Sequence, residues 1–383
     1  MARYLLVAWD GAGNLVSTAA VARSLCERGH DVRLLGHRSI NERLGAHGWR
    51  FRPFKHTLDF DSTKAFDVDA EMQTAPGALW FNGAVGRDVV EELEREPADC
   101  LIVDCMLGAG LSAGHAAGVP TVALFHTPYS GFRAGPLVDL LAPSIGVLNT
   151  GRAGLGLGPV DGLADVHDSC ALCVVAAPRE FDVDMPLPAN VRYVGPMLAG
   201  PPLLASADHL EIGDAAEPLV VVSFSTSYQA QAPTVQRVVD ALADLKVRVV
   251  VTIGPSVPAG AVRPRANTTV TGFVPHDRLL PYASLVISHG GLGTVMAALS
   301  HGVPMLCVPM GRDQFFNASR VQALGAGTMI GPDSDADTIA DAVRGLLDER
   351  SAAHEGAKRM AAVLSGCGGA SEAADEIERV TRS

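Results

Sequence analysis

The side chains spaced for chemistry crowd into one stretch, Ser288 to Val321, which reads SHGGLGTVMAALSHGVPMLCVPMGRDQFFNASRV. His289-Gly290-Gly291 and Gly293-Thr294 form a glycine-rich turn that feeds helix-compatible residues from Val295 to His301. Such a turn offers unpaired backbone N–H groups and the positive end of a helix dipole, which together suit a phosphate. Further along, a proline and glycine turn delivers Asp313 and Gln314 to the mouth of a second helix beginning near Phe315. An acid beside an amide accepts from and donates to sugar hydroxyls. Upstream, Ser223-Phe224-Ser225-Thr226-Ser227 follows an apolar run and adds hydroxyl and N–H groups for a diphosphate. Ordinary capped βα turns are the plain alternative. The combined spacing is that of a sugar-nucleotide site.

The elements that must position these groups alternate strand and helix. Tyr4 to Trp9 is a continuous apolar run, as expected of a parallel strand covered on both faces. The turn Asp10-Gly11-Ala12-Gly13-Asn14 leads into a helix with apolar positions at Val16, Ala19, Ala20, Ala22 and Leu25, ending at Gly29. The alternation continues through Asp31 to Leu35, Leu101 to Asp104, a small-residue helix after Gly108, and Thr121 to Phe125. It restarts with a strand from Leu219 to Ser223, a helix from Thr234 to Leu245, and strands from Val247 to Ile253 and Thr268 to Phe273. Two Rossmann-like parallel sheets in tandem result. Leu198 to Ala215, with Pro201-Pro202 and a run of small residues, reads as the linker between them. Gly151 to Gly162 reads as a mobile loop, and Phe51 to Gly86 lacks periodicity but holds Phe54, Phe60, Phe66, Trp80 and Phe81.

Composition bounds the function. A chain of 383 residues suits two domains, and 48% hydrophobic with 19% charged residues describes a globular protein. The formal net charge of −12 argues against nucleic acid and anionic membranes as partners. No apolar run approaches a bilayer span of roughly 18 residues, and the short apolar N-terminal run is not a signal peptide. Seven cysteines, mostly in apolar contexts, suit a reducing cytoplasm. Cys170 and Cys173 form a C-x-x-C without a second ligand pair, and read as two half-buried thiols. Gly11 and Gly13 lack the third glycine of a dinucleotide fingerprint, since position 16 is Val16, and no acid ends the second strand. Asp59-Phe60-Asp61 and Asp67-Val68-Asp69 have metal-binding D-x-D form, but such pairs are common in acidic loops.

The pattern H-G-G-x-G-T from His289, then G-V-P from Gly302, then D-Q-x-x-N-A-x-R-V from Asp313, resembles the donor motif of the nucleotide-sugar-dependent glycosyltransferases of the macrolide and UDP-glucuronosyl type. The resemblance implies the α/β GT-B fold, two Rossmann-like domains facing across a cleft. Residues 1–197 would bind the acceptor, 198–217 link, 218–365 bind the donor, and 366–383 cross back onto the first domain. It further implies that His289, Gly291, Gly293, Thr294, Ser225 and Thr226 meet the diphosphate and that Asp313 and Gln314 hold the sugar. Phe273 would cover the base while the backbone of Val274 pairs with its edge. The reaction would be inverting and metal-independent, with no cofactor beyond the nucleotide-sugar co-substrate. The partner is a small, largely apolar aglycone lined by the Phe51 to Gly86 aromatics; a homodimer is left open.

Two departures stand out. Where UDP-sugar users carry a glutamate for the ribose hydroxyls, this chain has Ala297, which favours a dTDP-sugar over a UDP-sugar. Where many relatives carry the catalytic histidine, counted back from Arg28-Gly29-His30, this chain has Asn14. A neutral amide cannot take a proton near neutral pH. Asp104, which would orient that histidine, is present, and the candidates for a substitute base are Asp10 and His126. Other outcomes are an acceptor that needs little deprotonation, or a non-catalytic nucleotide-sugar-binding partner. A sugar-nucleotide epimerase of the same architecture is the remaining alternative.

Overall fold

The computed structural model describes residues 1–44, 47–198, 216–348 and 350–382, with 42, 68, 69, 71 and 72 described by backbone alone. The chain divides into one unit of residues 1–62, 67–203 and 367–383 and another of residues 63–66 and 204–366.

In the first unit the strands are β1 (Arg3–Ala8), β2 (Asp31–Gly36), β3 (Arg50–Pro53), β4 (Cys100–Asp104), β5 (Thr121–Phe125), β6 (Leu172–Val175) and β7 (Val191–Tyr193). They pair in parallel in the order β3-β2-β1-β4-β5-β6-β7. The second unit carries β8 (Leu219–Ser223), β9 (Arg248–Thr252), β10 (Thr268–Thr271), β11 (Ala283–Ser288), β12 (Met305–Cys307) and β13 (Gly327–Met329), parallel in the order β10-β9-β8-β11-β12-β13. Helices cover the faces, so β4, β5 and β8 are buried along their whole length, as their unbroken apolar runs require.

Each sheet reverses its winding once. β1 lies between β2 and β4, and β8 lies between β9 and β11. At such a switch point the connections on the two sides leave in opposite directions and open a crevice at the carboxyl ends of the strands. In the first unit the turns after β1 and β4 flank it; in the second, the turns after β8 and β11.

The helix Asn14–Glu27 buries Leu15, Ala19, Ala20, Ala22 and Leu25, and the terminal helix Gly369–Arg382 buries Ala373, Ala374 and Ile377 in the same core. Its polar edge is tied down as well: Arg28 donates to Asp375 (2.5 Å) and to the Ser371 carbonyl (2.7 Å), and His30 lies 3.0 Å from Glu378. Among the described residues no helix is long and apolar enough to cross a membrane.

Three sequence expectations change. The stretch from Phe51 to Gly86 is not all loop: it holds the helix Val68–Ala75, N-capped by Asp67 accepting from the Ala70 N–H (3.0 Å), then a wide helical turn, Pro76–Trp80. Asp67 is thus a cap rather than half of a cation pair, Asp61 pairs with Arg43 (3.5 Å), and the Asp69 side chain lies outside the described residues. Gly151 to Gly162 is pinned, because buried Arg152 donates to the Gly158 carbonyl (2.9 Å) and to Ser112 (3.1 Å), while Asn149 exchanges two bonds with the Val160 backbone (2.9 Å each). Cys170 and Cys173 are both buried rather than half-buried. Beyond Leu198, the linker expected at Leu198 to Ala215 lies outside the described residues.

Candidate active site

At the switch point of the first sheet, β1 and β4 run in register, Val7 opposite Val103, so the turns that follow them meet. Asn14 opens the helix after β1 and Asp104 closes β4. On the other side β5 pairs Leu124 with Asp104, which carries His126, two residues on, to the same carboxylate.

Asp104 accepts four hydrogen bonds. Its Oδ1 takes the Trp9 indole N–H (3.2 Å) and the Met106 backbone N–H (3.0 Å); its Oδ2 takes Asn14 Nδ2 (2.7 Å) and His126 Nδ1 (3.2 Å). Burial opposes its ionisation, but the charge and hydrogen bond of His126, with the bonds from Asn14 and Met106, hold its pKa below the usual carboxylate value. Burial, the largest single effect on His126, favours its neutral form, yet the Asp104 charge, Cys105 and the hydrogen bonds to both together outweigh it and lift the imidazole pKa well above 6.5. The His126 side chain is 20% exposed. Because the carboxylate can only accept, Nδ1 carries the proton of the pair, and Nε2 is the nitrogen left to exchange one.

Asn14 is buried with both ends of its amide engaged. Nδ2 donates to the Trp9 carbonyl (3.0 Å) as well as to Asp104, and Oδ1 accepts the Gly11 N–H (3.1 Å). It is a brace for Asp104. The Trp9 ring packs edge-on against Trp80 (5.2 Å between centroids) and near Phe60 (6.1 Å), so an aromatic wall stands beside the pair. Asp104, Cys105 and His126 place a carboxylate oxygen, a thiol and an imidazole nitrogen within 4.8 Å of one another, the donor types of a zinc site. With four donors already on it, Asp104 has no lone pair left for a cation while this network stands.

Asp10 requires a correction as a base candidate. It is fully buried and accepts from Ser39 Oγ (2.6 Å), Ser62 Oγ (2.9 Å) and Arg43 Nη1 (2.8 Å). Enclosed by three donors, it braces the turn after β1 and lies out of an acceptor's reach.

The second unit presents the start of an uncapped helix at its own switch point, an arrangement that could receive an anion. The helix Leu292–Ser300 starts at Gly291 with no side-chain cap and no acid in its first turn, so its leading N–H groups are left for a ligand. Gly290 has φ 84°, and a Cβ on Gly291 would stand 2.5 Å from His289 Nε2, so neither position tolerates a side chain. A Cβ on Gly293 would meet no atom within 4 Å, and Thr294 is half-buried beside it. Burial, helped by the charge of Arg312, lowers the His289 pKa to about 4, so this imidazole is neutral. Its Nδ1 is buried without a partner.

Across the crevice, Ser225 Oγ pairs with Ser227 Oγ (2.8 Å) and accepts from Gln229 (3.3 Å), while Thr226 is half-buried. Phe273 and Val274 follow β10, Phe273 half-buried and Val274 buried. Next to them His276 Nε2 reaches Ser223 Oγ (3.3 Å), which ties that turn to the end of β8. Asp313, half-buried, accepts from Asn317 (2.9 Å). Gln314 departs from expectation: it is buried, with Nε2 donating to Gln229 (2.9 Å) and Oε1 accepting the Met310 N–H (2.9 Å). Its amide fastens the Asp313 turn to the serine loop, which leaves one N–H and one lone pair uncommitted by these bonds. Sequence reasoning also passed over the roles of Trp9 and Arg312, which come from contacts between residues far apart in the chain.

Comparison with known proteins finds similar chains among glycosyltransferases. Residues 236–378 match the family described as Erythromycin biosynthesis protein CIII-like, C-terminal domain. The chain is 27% identical to 4'-demethylrebeccamycin synthase of Lentzea aerocolonigenes, covering 91% of this chain and 92% of that one. It is 25% identical to the NDP-glycosyltransferase YjiC of Bacillus licheniformis, covering 96% and 94%. The solved structure of glycosyltransferase VinC in complex with DTDP superposes with a TM-score of 0.73 at 20% identity, over 99% of both chains. The chain has the two-domain GT-B fold, is similar over most of its length to glycosyltransferases of natural-product biosynthesis, and its residues 236–378 match their C-terminal domain family.

Proposed function

We propose that this glycosyltransferase moves a sugar, a deoxysugar by preference, from a dTDP-sugar onto a small, largely apolar natural-product acceptor, with inversion and without a metal ion. His126 is the general base. The observation that carries the reading is the Asp104 carboxylate, which holds His126 Nδ1 at 3.2 Å and is itself held by Asn14 at 2.7 Å. The histidine absent from position 14 is thereby supplied from the end of β5. Asp104 keeps the role the family resemblance gave it, which counts against the binding-only alternative.

In this mechanism His126 Nε2 takes the proton from the acceptor as the acceptor oxygen, nitrogen or carbon attacks the anomeric carbon. The bond from that carbon to the diphosphate oxygen breaks, and dTDP leaves with the electron pair. The N–H groups at the start of the helix Leu292–Ser300, with Ser225 and Thr226, meet the developing charge. His289, neutral, can donate but adds no charge. Asp313 accepts from the sugar hydroxyls, and Phe273 and Val274 take the base. The aromatic wall of Trp9, Trp80 and Phe60 suits an apolar acceptor.

Support for the dTDP donor comes from Ala297, an apolar side chain where a carboxylate would bind a ribose hydroxyl, and from the DTDP held by VinC. The test is a panel of dTDP- and UDP-sugars with aromatic and macrolide acceptors, read by product mass, and dTDP and UDP affinities measured side by side. A glycosylated product with tighter dTDP supports the reading. Donor binding without any product contradicts the catalytic reading, and clearly tighter UDP contradicts the dTDP reading.

A further inference from the structure

Arg312 occupies a backbone position made for glycine. Its φ of 57° lies in the left-handed region, directly after Gly311 and before Asp313. An L-residue with a long side chain is strained there, and such strain persists chiefly where the side chain is needed. The guanidinium reaches the serine loop: Nη1 donates to Ser227 Oγ at 2.7 Å, and Ser227 Oγ lies 2.8 Å from Ser225 Oγ. The turn after β12 is thus fixed to the turn after β8 by a cation.

Charge balance says what that cation is for. Ser225, Ser227 and Thr226 are neutral hydroxyls, the start of the helix Leu292–Ser300 offers a partial charge, and buried His289 is neutral at physiological pH. Asp313, the next residue along, is an acid. Without Arg312 the only full charge on this turn would be negative, facing a ligand that is itself an anion.

We infer that Arg312 binds the diphosphate of the nucleotide sugar, exchanging or sharing its bond to Ser227 for phosphate oxygens, and so stabilises the leaving dTDP. The planar fork of a guanidinium suits two phosphate oxygens, and its charge matters most as the bond to the anomeric carbon breaks. The inference rests on the donor reading proposed above.

The experiment uses Arg312→Gly, Arg312→Lys and the wild type, titrated calorimetrically with dTDP, UDP and thymidine, with the melting temperature of each protein. Glycine relieves the strained φ and removes the charge together. Expected for Arg312→Gly is a melting temperature equal to or above that of the wild type, dTDP binding weaker by about 10- to 100-fold, and thymidine binding unchanged. Arg312→Lys should fall between, since it keeps a point charge without the fork. If Arg312→Gly binds dTDP like the wild type, or loses dTDP and thymidine equally, the inference fails while the donor reading stands. If the wild type binds neither dTDP nor UDP, the donor reading itself fails and takes this inference with it.

Discussion

Replacing Asp104 by asparagine removes one charge and changes almost nothing in volume, which makes it an informative perturbation of the proposed base. At the observed 3.2 Å, a carboxylate and an imidazolium attract by about 5 kcal/mol at an effective dielectric constant of 20. Taking both ions out of water costs several kcal/mol each before relaxation. The directions of the two shifts, Asp104 down and His126 up, show that attraction and hydrogen bonds win. In Asp104→Asn the attraction is gone and the burial stays, so the His126 pKa must fall. The amide also has one acceptor end instead of two. With its NH2 toward His126, it donates to Nδ1 and forces the proton onto Nε2, where the imidazole can no longer accept from the acceptor.

The wild-type kcat/KM should therefore rise with pH along a limb set by a histidine well above 6.5. Asp104→Asn should lose roughly 10²- to 10⁴-fold in kcat, the usual worth of a general base, and its limb should move to lower pH. The assay is initial-rate kinetics from pH 5.5 to 9.5 with the donor and acceptor found in the product-mass screen. A variant that stays within threefold of wild type, or keeps the same limb, would refute the reasoning. The same pair also links pH to stability. Because the folded His126 pKa is raised, its contribution is complete below about 6.5 and is lost as pH rises through the folded value.

Other perturbations test the framework around the site. Buried Arg33 donates to Glu92 (3.0 Å) and keeps a second carboxylate, Glu96, at 3.6 Å, so Glu92→Ala should cost about 1–3 kcal/mol in urea unfolding, while unchanged stability would count against that ion pair. His167 and His289 are both lowered to about 4 by burial, so the fold holds them neutral. The stability they confer is present above about pH 6.5 and is lost as pH falls toward 4, by about 3 kcal/mol each; a flat unfolding free energy between pH 7 and pH 4.5 would contradict this. Gly291→Ala puts a methyl 2.5 Å from His289 Nε2 and should weaken dTDP binding at least tenfold by calorimetry. Unchanged affinity would show that this turn does not hold the donor.

The parallel strands were legible because strands buried on both faces must be unbroken apolar runs, as LVVVS of β8 and CLIVD of β4 are. The uncapped helix start was legible because a glycine turn into a helix is a local device, written entirely within His289 to Thr294. The helix Val68–Ala75 was not, since VDAEMQTA shows no apolar stripe and is marked mainly by the Asp67 cap. Gly151 to Gly162 looked mobile because the pin, Arg152, acts partly through Ser112, remote in sequence. The bond from Gln314 to Gln229 was not legible because it crosses 85 residues. His126 could be named from sequence as one of two base candidates, but choosing it over Asp10 required the register of β5 on β4 and the enclosure of Asp10 by Ser39, Ser62 and Arg43.

The claim at the centre of this account is that His126 takes the acceptor's proton. Its most direct measurement is kcat for His126→Asn beside the dTDP dissociation constant of the same protein. Asparagine can still donate to Asp104 but cannot act as a base near neutral pH. The account predicts a kcat lower by roughly 10²- to 10⁴-fold with dTDP affinity within twofold of wild type. A kcat within threefold of wild type would contradict it.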